Sequence, residues 1–358
     1  MTKELNRLTQ RLQFDFSINN RIYNLIAEID SLNTQFRVSE KLSHQTIKRL
    51  TQSVLVTSSW ASNRIEGNKL SDQEVEALYK SMNIKKFTTR DEQEVAWYLE
   101  LLELVFDQYK DMKFNEWLIL QIHDMLLKYT EKDQWHKGKY KFSYNTVEAR
   151  DATGKVVKVI FNPTEPALVP HEMKTLIARL EDELQKKEIH PLLVMANFIF
   201  EYLAIHPFQD GNGRTSRIIT NLLLLQQWYF FVPFVSHEAL IEVKKIDYYI
   251  ALNKSQQTWK TNHEDMSAWI LFFLEIIKQQ VSNAISISER DNIEPHLSKL
   301  QSEVWNVIVI SWEISPKDIQ EKTWISMSTI KQVLDKLMDM WKIERLWATR
   351  GVRYRLIK

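Results

Sequence analysis

A chain of 358 residues with 47 Lys and Arg against 46 Asp and Glu carries a formal charge of only +1. That balance excludes strong global attraction to nucleic acid or acidic membranes, and the length leaves room for two or three domains with cores of their own. Cysteine is absent, which excludes disulfides, thiolate catalysis and cysteine-ligated zinc. No apolar h-region follows the charged start MTKELNRLTQRLQ, and the most apolar stretch, 218–235, is broken by Asn221, Gln226 and Gln227. No secretory signal and no membrane span are therefore expected, and the chain reads as soluble and cytoplasmic.

Helical periodicity dominates. Residues 1–66 read as two or three helices, with Ile22, Leu25, Ile26 and Ile29 spaced as one apolar face. Ser71-Asp72-Gln73-Glu74 has the form of a capping box opening a helix through Tyr79. Residues 91–110 and 114–129 continue the helical pattern. Between Gly138 and Pro163 the rhythm changes: Tyr140, Phe142, Val156, Val157, Val159, Ile160 and Phe161 surround the turn-like Ala152-Thr153-Gly154, which predicts a β-hairpin. Helices resume over 167–186 and after His190-Pro191, where proline at the first helical position is favourable. A loop follows Ile205, and Arg214 or Thr215 is the predicted start of the next helix. Two more helices are expected over 238–282, then a polar linker around 288–295.

The last 60 residues have a different pattern. Helices are predicted over 301–310, 316–323 and 328–340, the last with a buried stripe of Ile330, Val333, Leu334, Leu337 and Met338. A hairpin is predicted from 343–347 and 352–357, joined by Thr349-Arg350-Gly351. Three helices and a hairpin make a winged helix-turn-helix. From Ser315 to Lys358 there are 10 Lys/Arg and 5 Asp/Glu, a local charge of 10 − 5 = +5.

Glycine is scarce, at 6 residues against 12 tryptophans, where about 7% glycine is usual. Trp228, Trp312, Trp324 and Trp341 stand where a turn or helix C-cap is expected, positions that favour φ > 0 and disfavour bulky side chains. Two readings are open: ordinary partly buried tryptophans, or UGA codons that the source organism reads as glycine.

The chemistry concentrates in His206-Pro207-Phe208-Gln209-Asp210-Gly211-Asn212-Gly213-Arg214-Thr215-Ser216-Arg217. Gly211-Asn212-Gly213 ahead of a helix offers free backbone amides and the positive end of a helix dipole to phosphate. Asp210 can ligate Mg²⁺, a hard cation that prefers oxygen. Arg214 and Arg217, three apart, suit bidentate phosphate recognition. His206 has the near-neutral pKa of a general base, and Phe208 reads as a core anchor.

This run resembles the signature of the Fic family, HPFx[D/E]GNGRxxR, at every specified position, and the likeness extends over roughly 50–280. The resemblance implies a mostly α protein: a Fic-type helical bundle core with a β-hairpin flap that receives the target, followed here by the winged helix. The corresponding division is 1–110, a helical region with an inhibitory motif; 111–285, the catalytic core; 286–297, a linker; and 298–358, the winged helix. The implied activity is transfer of AMP from ATP to a Ser, Thr or Tyr hydroxyl of a protein, with release of pyrophosphate and Mg²⁺ as cofactor. His206 resembles the base, Asp210 the Mg²⁺ ligand, and Gly211, Asn212 and Gly213 the anion hole for the α- and β-phosphates. Arg214 is similar to the β-phosphate contact and Arg217 to the γ-phosphate contact. Tyr248 and Tyr249 stand where the family often has an aromatic pair at the nucleoside. Ser62-Asn63-Arg64-Ile65-Glu66-Gly67 resembles the family's inhibitory pattern [S/T]xxxE[G/N], which implies that Glu66, with Ser62, occupies Arg217 and denies it to the γ-phosphate.

Alternatives stay open at this level. The donor could be CDP-choline or UTP in place of ATP. A nucleotide-sensing DNA-binding regulator is also compatible, with Lys331, Arg350, Arg353 and Arg355 as candidate contacts. Val159, Ile160 and Phe161 suit strand addition by a target, or a plain buried hairpin. The target is another protein or the chain itself, and the apolar N-terminal helices could bury against a second copy.

Overall fold

The computed structural model describes residues 11–39, 44–68, 89–128, 135–150, 156–291, 297–311, 313–340, 342–348 and 351–356. The predicted capping box at 71–74, the hairpin turn at 152–154, Trp312, Trp341 and Arg350 lie outside them. The chain divides into two compact units, Met1–Ser288 and Glu289–Lys358.

Through the first unit and three residues past its end the order is α1 (Phe16–Ser39), α2 (His44–Ile65), α3 (Arg90–Gln108), α4 (Glu116–Leu126), β1 (Val147–Arg150), β2 (Val156–Phe161), α5 (Val169–Lys186), α6 (Pro191–Ile205), α7 (Asn212–Gln226), α8 (His237–Val243), α9 (Lys245–Gln257) and α10 (Ser267–Asp291). The centre is the pair α6 and α7. Every residue of α6 from Leu192 to Ile205 is buried, as expected of a helix apolar all round. His190 caps it, its ring nitrogen accepting from the Leu192 N–H at 3.3 Å, and Pro191 fills the first turn where no N–H is needed. Thr89 and Glu92 form a reciprocal capping box at the start of α3, and Asn115 caps α4. One continuous core joins these helices, from Ile22, Ile29 and Phe36 of α1 through Tyr98, Leu102 and Ile122 to Phe198, Leu222 and Phe273. Within α10, Ser267–Ser288 is long and apolar enough to cross a membrane by length and composition, but Ile270, Leu274, Ile277 and Val281 are packed in this core.

Three expectations need correction. The hairpin is narrower than predicted: β1 and β2 pair antiparallel from Val147↔Phe161 to Arg150↔Val156 with two register shifts. Tyr140 and Phe142 lie outside both strands, in a segment laid against the 206–212 loop, where the Lys141 N–H donates to the Pro207 carbonyl at 2.8 Å. Helix α7 begins at Asn212, two residues before the predicted start, because Gly211 takes a left-handed φ of 78° as its N-cap. The region 238–282 holds three helices, α8 to α10, and α10 runs to Asp291 into the stretch read as linker.

The second unit runs α11 (Lys299–Ser311), β3 (Glu313–Ile314), α12 (Pro316–Thr323), α13 (Met327–Asp339), β4 (Ile343–Ala348) and β5 (Gly351–Leu356). Its sheet has the order β3-β5-β4, all antiparallel, so a short strand missed in the sequence, β3, joins the expected hairpin. Ser315 and Asp318 cap α12 reciprocally. Val304, Ile308, Ile319, Ile330, Leu334, Leu337 and Tyr354 form its separate core.

The reading of the singled-out tryptophans as partly buried fails where it can be inspected. Trp228 (φ 72°) and Trp324 (φ 58°) are left-handed, and they are 61% and 92% exposed.

Candidate active site

The loop between α6 and α7 brings the motif residues together. His206 is the left-handed C-cap of α6, its backbone N–H donating to the Tyr202 carbonyl. Phe208 is fully buried. Asn212 clasps it twice: the Phe208 N–H donates to Asn212 Oδ1 at 2.9 Å, and Asn212 Nδ2 donates to the Phe208 carbonyl at 2.8 Å. The side chain of Asn212 therefore shapes the loop, and its backbone amide joins that of Gly213 in the first turn of α7, which has no intrahelical acceptor.

His206 is half-buried, and burial, with the Lys141 ammonium adding to it, pulls its pKa down to about 4. Its Nδ1 contacts the Leu203 carbonyl at 3.3 Å. A carbonyl only accepts, so Nδ1 carries the proton and Nε2 presents a lone pair. At neutral pH the ring is uncharged and ready to accept a proton.

Asp210 is the more exposed carboxylate of the site. Burial raises its pKa, but Arg214, the Gly211 N–H at 2.6 Å and Arg90 together hold it below the ordinary value. Arg214 is buried and pairs with Glu94 at 3.1 Å and Asp210 at 3.5 Å. Arg217 is equally buried. Its Nε donates to Ser62 Oγ at 2.8 Å, and its Nη2 donates to the Ser62 carbonyl at 3.0 Å and to Glu66 Oε1 at 2.7 Å. A Cβ added to Gly213 would collide with that same Glu66 oxygen, so the carboxylate lies directly over the start of α7. Arg217 Nη1, also beside Gly213, is buried without a hydrogen-bond partner among the described residues. A buried guanidinium beside a helix N-terminus is suited to an anion, and Glu66 is the anionic group beside it.

Tyr248 is buried beside Trp269 and Phe272, and burial pushes its phenol up to about 12, partly offset by the Arg217 charge. Tyr249 packs on it at 5.1 Å and is partly exposed. The two therefore face different surroundings, one behind Arg217 and one toward solvent.

Several site residues escaped the sequence reading. His123 of α4 stacks on Phe208 with ring centroids 3.7 Å apart and planes within 1°. Its Nδ1 accepts from the Gly138 N–H at 3.0 Å, so Nε2 donates to the Asp210 carbonyl at 3.0 Å. Burial pulls its pKa to about 3. Glu94 of α3 reaches Arg214, and Arg90 of α3 reaches Asp210. Lys141 holds the Asn145 amide at 2.7 Å, and Asn145 in turn donates to the Phe208 carbonyl at 3.0 Å. Beneath Arg217, buried Glu238 accepts from Tyr98 at 2.7 Å and Asn221 at 2.6 Å. A polar residue on an otherwise apolar helical face, as with His123 in LQIHDML, is the one signal that could have found these.

Among the described residues no three His, Asp or Glu side chains gather into a ready-made metal site. Asp210 nonetheless fits Mg²⁺, which is commonly held by one or two carboxylates plus substrate phosphates and water.

Residues 113–224 match the Fic/DOC family, and this segment holds α4, the hairpin, α5, α6 and most of α7. Protein adenylyltransferase fic-1 of Caenorhabditis elegans is 25% identical over 213 residues, 57% of this chain and 38% of that protein. The chain thus spans well under half the length of that curated relative. A Fic family protein from Desulfovibrio desulfuricans G20 has a similar fold, with a TM-score of 0.61 and 22% identity over 94% of this chain and 96% of that one. A Fic domain-containing signaling protein from Bacteroides thetaiotaomicron has a TM-score of 0.60 and 22% identity, covering 75% and 98%.

Proposed function

We propose that this chain is a protein adenylyltransferase of the Fic type whose active site is held in check by its own Glu66. The observation that carries the reading is the meeting, in one loop, of an uncharged His206 with Arg214, Arg217 and the first-turn amides of α7. Those groups suit a nucleoside triphosphate laid along the helix N-terminus, its γ-phosphate on Arg217 and its β-phosphate on Arg214. Asp210 and the phosphates would hold Mg²⁺, which would neutralise phosphate charge. Nε2 of His206 takes the proton of a target Ser, Thr or Tyr hydroxyl. The hydroxyl oxygen then bonds to the α-phosphorus as the bond to the β-phosphate bridging oxygen breaks, and pyrophosphate leaves. In-line attack requires the α-phosphate to face His206, and a γ-phosphate displaced by Glu66 misaligns it.

The hairpin β1–β2 reads as the target-binding flap, with Val159 exposed on it and Phe161 packed toward Trp259 at 5.7 Å. Tyr248 and Tyr249 read as the nucleoside side of the pocket. The second unit has the make-up of a winged helix. Arg353 is paired with Glu313 at 2.8 Å and Arg355 with Glu344 at 2.6 Å, so these two candidate DNA contacts spend their charge within the unit, which favours a protein-docking role. Exposed Phe16 and Tyr23 on α1 suit contact with a second copy. The site of action is the cytoplasm.

The test is labelling with ATP carrying the label on the α- or the γ-phosphate, using the Glu66→Gly protein and cell extract. Transfer of the α-label alone is expected. Transfer of the γ-label, or binding without transfer, overturns the reading.

A further inference from the structure

Arg90, Glu94, Arg214 and Asp210 form a closed ring of alternating charge. Arg90 Nε meets Glu94 at 2.8 Å, Glu94 meets Arg214 at 3.1 Å, Arg214 reaches Asp210 Oδ2 at 3.5 Å, and Arg90 Nη2 closes on that same oxygen at 3.0 Å. The two arginines differ in exposure: the Arg214 side chain is 3% exposed and that of Arg90 52% exposed. An incoming cation on Oδ2 must expel one of them by like-charge repulsion. Arg214 is buried, whereas Arg90 is half-exposed and is the one more readily turned from Asp210 while keeping Glu94. We propose that Arg90 is a stand-in for the divalent cation: it neutralises Asp210 in the metal-free site, keeps it aimed, and yields when metal and nucleotide arrive together. Metal binding then carries a threshold set by Arg90.

This inference rests on the assignment of Asp210 as metal ligand, and the experiment separates the two. Mn²⁺ binding is followed by electron paramagnetic resonance with α,β-methylene-ATP, in the full-length Glu66→Gly protein and in the same protein carrying Arg90→Ala, Arg90→Lys or Asp210→Asn. Arg90→Ala should tighten Mn²⁺ binding roughly 2- to 5-fold, the range set by the modest worth of a half-exposed ion pair, and Arg90→Lys should fall between. A purely structural role predicts looser binding, because the aim of Asp210 would be lost. Unchanged or weaker Mn²⁺ binding in Arg90→Ala, with Asp210→Asn abolishing it, overturns the inference and leaves the ligand assignment standing. Binding that survives Asp210→Asn overturns both.

A second inference rests on separate observations. Helix α7 ends in a Schellman motif: the Tyr229 N–H reaches the Leu224 carbonyl at 3.0 Å, and the Trp228 N–H reaches Leu225 at 3.2 Å. The left-handed residue of that motif, ordinarily glycine, is Trp228. Trp324 holds the equivalent place after α12, its N–H on the Gln320 carbonyl at 2.9 Å. Both indoles are largely exposed, so neither repays the backbone conformation by packing in a core. With glycine so scarce in the chain, we infer that positions 228 and 324 are glycine in the protein its own cells make, encoded by UGA. Peptide mass mapping of the protein purified from those cells decides it. Glycine masses at both positions are expected, and tryptophan at either, or a UGG codon there, overturns the inference for that position.

Discussion

Replacing Glu66 by glycine removes the carboxylate that, among the described residues, touches Arg217. The contact is a charge-assisted hydrogen bond of 2.7 Å between a guanidinium 3% exposed and a carboxylate 35% exposed. Hydrogen bonds to charged groups are worth about 1.5–3 kcal/mol, and partial exposure of Glu66 argues against the larger figures quoted for fully buried pairs. On the proposed reading, a γ-phosphate seeking Arg217 must first displace this contact. If that costs about 2–3 kcal/mol, productive nucleotide binding is suppressed roughly 30- to 150-fold, at about 1.4 kcal/mol per factor of ten. Self-labelling of Glu66→Gly with α-labelled ATP should therefore exceed that of the unaltered chain by one to two orders of magnitude at subsaturating nucleotide. Glu66→Gln, which keeps an acceptor but not the charge, should fall between. Ser62 still holds two nitrogens of Arg217, so the guanidinium stays in place. Equal labelling of Glu66→Gly and the unaltered chain would show that Glu66 is no brake.

Loss of the base is best tested with His206→Asn, because asparagine tolerates the left-handed φ of 52° there; label transfer should fall at least about 100-fold while the thermal midpoint moves little. The acid limb of the transfer rate should lie near pH 4, where His206 takes up a proton, and a limb near the ordinary histidine value would refute the buried assignment. Stability has its own pH dependence: His206, His123 and His237 all titrate lower when folded than when unfolded. The unfolded chain thus binds more protons below about pH 6.5, and denaturant midpoints should decline as pH falls from there toward 4. His123→Phe keeps the stack on Phe208 but strands the Gly138 N–H and the Asp210 carbonyl; chemical denaturation should register a loss of about 2–4 kcal/mol, with slower transfer.

Much of the architecture was legible because the signals are local. Pro191, His190 and the unbroken apolar run after them specify a buried helix before any neighbour is considered. Pro316–Thr323 emerged at its predicted bounds. The misses have a common cause. Tyr140 and Phe142 alternate like strand residues, but Tyr140 and the backbone of Lys141 are engaged by the α6–α7 loop region and α4, so tertiary partners replaced a ladder. β3 is two residues long and exists only because β5 offers it an edge.

The motif from His206 to Arg217 was readable for the same reason. Its groups are contiguous, so a single loop and one helical turn suffice to converge them, and the chemistry of each side chain follows from its type. What a linear chain cannot display is which distant charges meet there. Glu66 and Arg217 lie 151 positions apart, and Arg90 and Asp210 lie 120 apart. Only the packing of α2 and α3 against α7 decides that the Glu66 carboxylate meets Arg217 and the Arg90 guanidinium meets Asp210. Burial likewise belongs to the fold: low solvation, not sequence, pulls the pKa of His206 below the ordinary histidine value.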